Sequence, residues 1–253
     1  FWLIQKGSTK ECVYTNCFPL DLNYKAKVKD MNNFEGVRIY NLFPNVAGRI
    51  DEWKKMVPDI KDMGFTHIYL NPIFETGFSK NIYAPTNFYN FNSMFMDLNS
   101  DKEPEEQIRE FIEYVHSQNL KIILEVIFTH TSIDSDLLMT NPEWFTYENG
   151  FVKKYSLISN ERWVEWGDLA AIDNFNENTK ESLWKYWKDL LDFYIDIGFD
   201  GFKAESAYRL PTPLWDILIK HAKSRNKDIL FIGENLGATF HQTTETARVG
   251  FDY

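Results

Sequence analysis

Cysteine is scarce in this 253-residue chain, which contains only Cys12 and Cys17. The two lie close together near the start, without a CxxC motif and without a histidine-rich partner segment. They therefore decide neither the redox compartment of the protein nor the presence of a metal site.

An initiator methionine, a basic leader and a long apolar run are also lacking. The chain opens with FWLIQKG, which has the features of neither a signal peptide nor a membrane span. The lack of a signal peptide favours a cytoplasmic protein, and the lack of a methionine indicates a processed product or a piece of a longer chain.

Positive charge is the third shortage. Lysine and arginine number 27 against 37 acidic residues, so the net charge is −10, and there is no long basic run. Nucleic acids and anionic membranes reward clustered positive charge, so neither is expected as a partner. Aromatic residues, by contrast, reach 17%, which suits either a large core or stacking against flat sugar or base faces.

The apolar pattern alternates between strand and helix periodicity along most of the chain. We predict five strand units, which are GVRIYNLFP, THIYLNPIF, LKIILEVIF, GFDGFKA and DILFIGEN. A predicted helix ends at Gly64, a second begins at Pro104, and two more cover about 177–197 and 213–223. Strands that alternate with helices form parallel sheets, so the fold class is α/β, either a barrel or an open doubly wound sheet.

Two stretches interrupt this alternation. Residues 1–35 precede the first strand and are predicted to be an arm or the tail of an upstream domain, which leaves 36–253 for the α/β unit. Residues from about 131 to 176 separate the third strand from its helix. Loops of this length inside a compact domain are usually functional or form small subdomains, so we predict an insertion subdomain there.

Polar side chains stand at the carboxyl ends of the predicted strands. They are Asn71, Glu125, His130, Lys203, Glu205 and Glu234. Each could have a purely structural role: Glu125 could pair with Lys203, and Glu234 could cap a helix. His130 could be a loop histidine with its hydrogen bonds satisfied. In a barrel, however, the carboxyl ends form one face where catalytic residues collect, so the alignment of all six favours an active site.

The quoted strand segments and their surroundings together resemble the α-amylase family of retaining glycoside hydrolases and transglycosylases. The matching stretches are GFTHIYLNPIFE, YAPTNFYNFNSMF, EVIFTH, GFDGFKAES and IGEN, in the family's order within 36–253. The resemblance implies a TIM-type (β/α)8 barrel with a small insertion after strand 3. It also implies that the chain holds about the first five to six strands, with GFDY entering the sixth.

The resemblance further implies roles for individual residues. Glu205 falls at the family's nucleophile, Glu234 at its general acid/base, and Lys203 at the arginine that orients the nucleophile. Four further positions match sites that surround or contact the sugar: Tyr83, Asn87, Glu125 and His130. A saccharide is therefore the expected partner, and nothing in the resemblance predicts an oligomeric state.

Several matched positions carry a different side chain from the family's. Glu205 replaces an aspartate, and its extra methylene adds roughly 1.5 Å of reach where a misplacement of about 1 Å matters. Lys203 replaces the two-pronged arginine with a point charge. Thr129 replaces an asparagine, which weakens the calcium site that the family would place at the insertion junction, since a hydroxyl is a poorer calcium ligand. The family's later His-Asp motif has no counterpart before Tyr253.

The sequence therefore predicts a hydrolase or transglycosylase that acts on α-1,4-linked glucans, such as starch, glycogen or maltodextrin, by retaining double displacement. Two alternatives stay open. The first is an impaired barrel that binds carbohydrate or has a structural role, which the substituted motif positions favour. The second is an aldolase-like barrel in which Lys203 forms a Schiff base. The second is disfavoured because Glu205 beside the lysine would raise its pKa.

Overall fold

The computed structural model describes residues 36–159 and 162–253. Its helices are α1 Pro44–Ala47, α2 Ile50–Asp62, α3 Pro104–Ser117, α4 Asp136–Thr140, α5 Lys180–Ile197, α6 Thr212–Arg225 and α7 Phe240–Ala247. Its strands are β1 Ile39–Leu42, β2 His67–Leu70, β3 Phe74–Thr76, β4 Pro85–Phe91, β5 Lys121–Val126, β6 His130–Ser132, β7 Tyr147–Glu148, β8 Phe151–Val152, β9 Lys154–Ser159, β10 Arg162–Ala171, β11 Gly201–Ala204 and β12 Leu230–Gly233.

Five of these strands form one parallel sheet in the order β1-β2-β5-β11-β12, which follows the order of the chain. The long helices lie between successive strands in the sequence, so each connection is a βαβ crossover. The central strand β5 is buried at every position after Lys121, as expected where both faces of a sheet are covered. This is the arrangement of an incomplete (β/α)8 barrel.

After α7 the chain returns to the edge of β12. Tyr253 donates its backbone N–H to Phe231, and its carbonyl accepts from Gly233 at 2.9 Å. This pair of bonds is the pattern by which one parallel strand joins the next. The last two residues therefore begin to extend the sheet, in line with the sequence-based expectation of a sixth strand.

Helix α5 shows how the apolar spacing fixes the packing. Its buried residues recur every three or four positions and form one stripe, and they are Leu183, Trp187, Leu190, Leu191, Tyr194 and Ile197. The helix ends at Gly198, whose φ of 119° lies in the left-handed region that glycine adopts without steric cost. The chain then turns directly into β11, which carries two of the candidate site residues at and just beyond its end.

Three antiparallel units are added to the barrel strands, and the smallest is the pair β7 and β8. Strands β3 and β4 form a hairpin after β2, and β6, β10 and β9 form a three-stranded sheet between β5 and α5. The hairpin was not predicted, because its residues follow the second strand without a helical segment to mark a new unit. The division of the chain into domains stays a prediction, and residues 1–35 lie outside the described residues.

Helix lengths and hydropathy also bear on membrane association. Among the described residues, no helix combines the length and the apolar character needed to cross a bilayer.

Candidate active site

The parallel sheet brings the predicted polar residues to one end. Lys203 on β11 lies directly beside Glu125 on β5 in the strand register. Glu234 follows β12, the neighbour of β11 on its other side, and Glu205 follows β11 itself. The four side chains therefore meet because three adjacent strands end at the same edge of the sheet.

Glu125 is the most deeply buried member of this group, with a side chain that is 0% exposed. Its Oε2 accepts hydrogen bonds from the Tyr69 hydroxyl at 2.5 Å, the Asn71 amide at 2.9 Å and the Tyr83 hydroxyl at 3.1 Å. Its Oε1 accepts from Lys203 Nζ at 2.5 Å. A buried carboxylate needs this number of donors to offset its loss of water.

Lys203 bridges two carboxylates. Its ammonium donates to Glu125 and also to Oε2 of Glu234, whose side chain is 29% exposed. Burial alone would lower the pKa of Lys203, but the negative charges of Glu125 and Glu234 outweigh it and raise that pKa. A lysine with a raised pKa stays protonated at neutral pH, which counts against the Schiff-base alternative.

Glu205 is held by hydroxyl groups rather than by the lysine. Ser206 donates to its Oε1 at 2.6 Å, and Thr129 Oγ1 lies 3.3 Å from its Oε2. Burial raises the pKa of Glu205, and the charge of Glu234 adds to this against the opposing bond from Ser206. Lys203 was expected to orient Glu205. Among the described contacts, however, it donates to Glu125 and Glu234 and makes no hydrogen bond to Glu205.

The hydrogen bonds of His130 fix where the protons lie. Burial lowers the pKa of His130 to about 4, so the ring is neutral. Its Nε2 lies 2.9 Å from the Tyr83 carbonyl, which only accepts, so Nε2 carries the ring proton. Its Nδ1 then accepts from the Thr129 hydroxyl at 2.8 Å.

His130 is also covered. The residue is 2% exposed, and the ring of Tyr155 from β9 lies 4.2 Å from its ring, centroid to centroid. The guanidinium of Arg209 lies 4.6 Å from the centroid of the Tyr155 ring. The sugar contact expected of His130 stays a prediction, and it requires Tyr155 to move.

The remaining predicted residue, Asn87, is not part of this cluster. Its amide donates to Asp136 at 3.1 Å, and its side-chain oxygen accepts from the backbone of Tyr89. Tyr83, in contrast, reaches the cluster through its hydroxyl bond to Glu125.

Sequence reasoning missed three residues of the cluster. Tyr69 stands two positions before Asn71, so the alternation of β2 could have placed both side chains on one face. Ser206 directly follows Glu205, but nothing in its sequence context signals a bond to its neighbour. Tyr155 comes from the insertion, where no periodicity indicated which aromatic side chain faces the barrel.

Comparison with known proteins shows what the chain resembles. Residues 31–150 match the family model of the glycogen debranching enzyme glucanotransferase domain. The chain is 23% identical over 208 residues to an α-1,4-glucan:maltose-1-phosphate maltosyltransferase from Picrophilus torridus, a match that covers 77% of this chain and 32% of that protein. It is 26% identical over 188 residues to neopullulanase 2 from Thermoactinomyces vulgaris, covering 70% and 30% respectively.

A solved structure matches over a larger share. The α-amylase from Geobacillus thermoleovorans, complexed with acarbose, superposes with a TM-score of 0.69 at 21% identity, over 85% of this chain and 50% of that one. The likeness confirms the predicted (β/α)8 fold, incomplete in this chain. The chain spans about a third of the length of the curated relatives it matches.

Proposed function

This chain belongs to the α-amylase family of glycoside hydrolases, and on that premise we propose that it is part of an enzyme acting on α-1,4-linked glucans by a retaining mechanism. The substrate is an oligo- or polysaccharide. Hydrolysis and transfer to a sugar acceptor share the same first step, and the proposal covers both.

One observation carries this proposal. Glu205 and Glu234 follow adjacent parallel strands, and the charge of Glu234 adds to burial in raising the pKa of Glu205. Retaining glycosidases need two carboxyl groups about 5–5.5 Å apart, one to attack the anomeric carbon and one to protonate the leaving oxygen. We propose that Glu205 and Glu234, from neighbouring strand ends, form such a pair.

We assign Glu205 as the nucleophile and Glu234 as the acid/base. The Glu205 carboxylate would attack the anomeric carbon while Glu234 protonates the departing sugar oxygen, which leaves a glycosyl ester on Glu205. Glu234 then removes a proton from water or from a sugar hydroxyl, whose oxygen displaces Glu205. The first step needs Glu205 as a carboxylate and Glu234 in its protonated form, so Lys203 must loosen its hold on Glu234.

A second candidate function is glucan binding without turnover. The bond from Lys203 to Glu234 favours it, because an acid tied to an ammonium is a poor proton donor. The cover of Tyr155 over His130 favours it as well. In that case the carboxylate cluster contributes to sugar binding and to the structure of the barrel.

The decisive experiment uses the full-length protein. We expect wild type to release reducing sugar from maltodextrin, and a fluorinated glucosyl trap to leave an adduct on Glu205 that mass spectrometry locates. Glu205→Gln should abolish both signals, whereas the matched control Glu245→Gln, in an exposed pair with Arg248, should retain the adduct. If wild type gives neither turnover nor adduct, and Glu205→Asp with Lys203→Arg restores neither, the binding function replaces the catalytic one.

A further inference from the structure

The junction between the three-stranded sheet and the barrel does not suit the calcium ion that the family resemblance implies. Calcium needs about six to eight oxygen ligands, several of them carboxylates. The Thr129 oxygen is occupied by His130 and Glu205. The amide of Asn174, which is also at the junction, donates to the Phe128 carbonyl and accepts from Trp187, so its oxygen already has a protein partner.

The charges around this junction have the wrong sign for a cation. A cavity of about 210 Å³ lies there, and its lining includes the cationic side chains Lys153, Lys154 and Arg209 but one acid, Asp173. An oxygen of Asp173 accepts from the backbone of Phe175. Across residues 36–159 and 162–253, no three histidine, cysteine or acidic side chains are grouped as a metal site.

The positively charged side chain of Arg209 bridges the barrel and the three-stranded sheet. It ends the short 3-10 turn Ala207–Arg209 that follows β11, so its backbone belongs to the barrel. Its guanidinium donates to the Ser156 carbonyl on β9 at 2.7 Å and stacks against the Tyr155 ring. Tyr155 in turn packs against His130. One positive side chain thus joins the barrel to the added sheet directly beside the candidate active site.

We propose that Arg209 replaces calcium as the cation that fixes this junction, and that the protein is calcium-independent. Arg209 is a positioning residue: it holds Tyr155 over His130, and His130 holds Thr129 against Glu205. A guanidinium stays charged across the whole physiological pH range, and its planar face allows stacking on a ring while its edge donates to a carbonyl. A covalently attached cation also cannot be removed by a chelator.

The test measures thermal unfolding and amide hydrogen exchange on the full-length protein. Wild type should have the same Tm, within about 1 °C, in EDTA and in millimolar calcium. Arg209→Ala should lower Tm by at least about 3 °C and increase exchange in peptides covering β9, and calcium should restore neither. Arg209→Lys keeps the charge and should recover part of both losses.

Arg248→Ala is the matched control, because Arg248 pairs with Glu245 on an exposed surface. It should leave exchange in β9 unchanged. The proposal is overturned if EDTA lowers the wild-type Tm and calcium restores it, or if Arg209→Ala leaves exchange in β9 at the wild-type level. These readouts are independent of glucan turnover, so they stand whether or not the proposed activity is found.

Discussion

The two ends of the same five-stranded sheet differ in how their charges are balanced. At the amino end, Asp200 accepts from His116 at 2.7 Å and from the backbone of Ile122 at 2.8 Å, and Lys121 and His67 lie nearby. At that end, Asp200 lies among basic groups. At the carboxyl end, Glu125 and Glu234 share Lys203, and Glu205 is a third acid beside them without an ion pair of its own among the described contacts.

This difference separates two kinds of polar cluster. The single Asp200 ties two strand ends and a helix together, which is sufficient reason for its presence. A surplus of buried carboxylates, in contrast, costs free energy, because each must lose water without a full countercharge. An arrangement that destabilises the fold at the carboxyl end of barrel strands indicates a site with a chemical task.

The largest expected effect compares one acid from each end. Glu234→Gln at the carboxyl end should lower turnover of maltodextrin by about a thousandfold, since it removes the proton donor. It should spare aryl glucosides with good leaving groups, which need little protonation. Asp200→Asn at the amino end should lower stability but leave kcat within about threefold of wild type. Comparable losses of kcat in both variants would remove the functional distinction between the two ends.

Removing a cation at each end should also have unequal effects. Lys203→Met leaves the fully buried Glu125 without a countercharge, so we expect the free energy of unfolding to fall by about 3–5 kcal/mol. Urea unfolding measures the loss, and adding Glu125→Gln should recover most of it. Lys121→Met, at an exposed position, should cost under about 1 kcal/mol. An equal loss of unfolding free energy in the two variants would contradict a buried ion pair between Lys203 and Glu125.

The smallest expected effect is a pH dependence common to both ends. Burial lowers the pKa of His67 and of His130 to about 4 each. The unfolded chain binds these protons near pH 6.5 and the folded one near 4, so stability should fall as pH drops across that window. At the acidic end of that window, we expect each histidine to lower the free energy of unfolding by about 2–3 kcal/mol. His67→Gln should flatten the urea-unfolding profile between pH 7 and 4.5 relative to wild type, and an unchanged slope would contradict the lowered pKa of His67.

The fold was largely predictable because the barrel strands and helices have strong, separate periodicities. Helix α3 begins at the predicted Pro104, and α5 carries the predicted apolar stripe through Ile197. Strand ends were less predictable: the first strand was expected over 36–44 but covers Ile39–Leu42. Periodicity shows which face is buried, whereas the ends of a strand depend on where its neighbours stop pairing.

The sequence predicted where the candidate site residues lie better than which of them are hydrogen-bonded to each other. The convergence of Glu125, Lys203 and Glu234 follows from the parallel register alone. That Lys203 bonds to Glu234 could not be deduced, because the outcome depends on side-chain reach and on which acid is more accessible. The position of Tyr155 over His130 depends on how the three-stranded sheet folds back onto the barrel. This is a long-range arrangement that local sequence does not encode.

Ser206 has a consequence for any attempt to evolve this chain in the laboratory. It sits at φ 46° and ψ 48°, a left-handed conformation that costs a non-glycine residue about 1 kcal/mol, and it donates to the carboxyl of Glu205. A variant library at this position would therefore divide according to the selection applied. Survivors of heat alone would accumulate glycine, whereas survivors of growth on glucan would retain serine, and the ratio of the two would measure how far stability and activity conflict at a single residue.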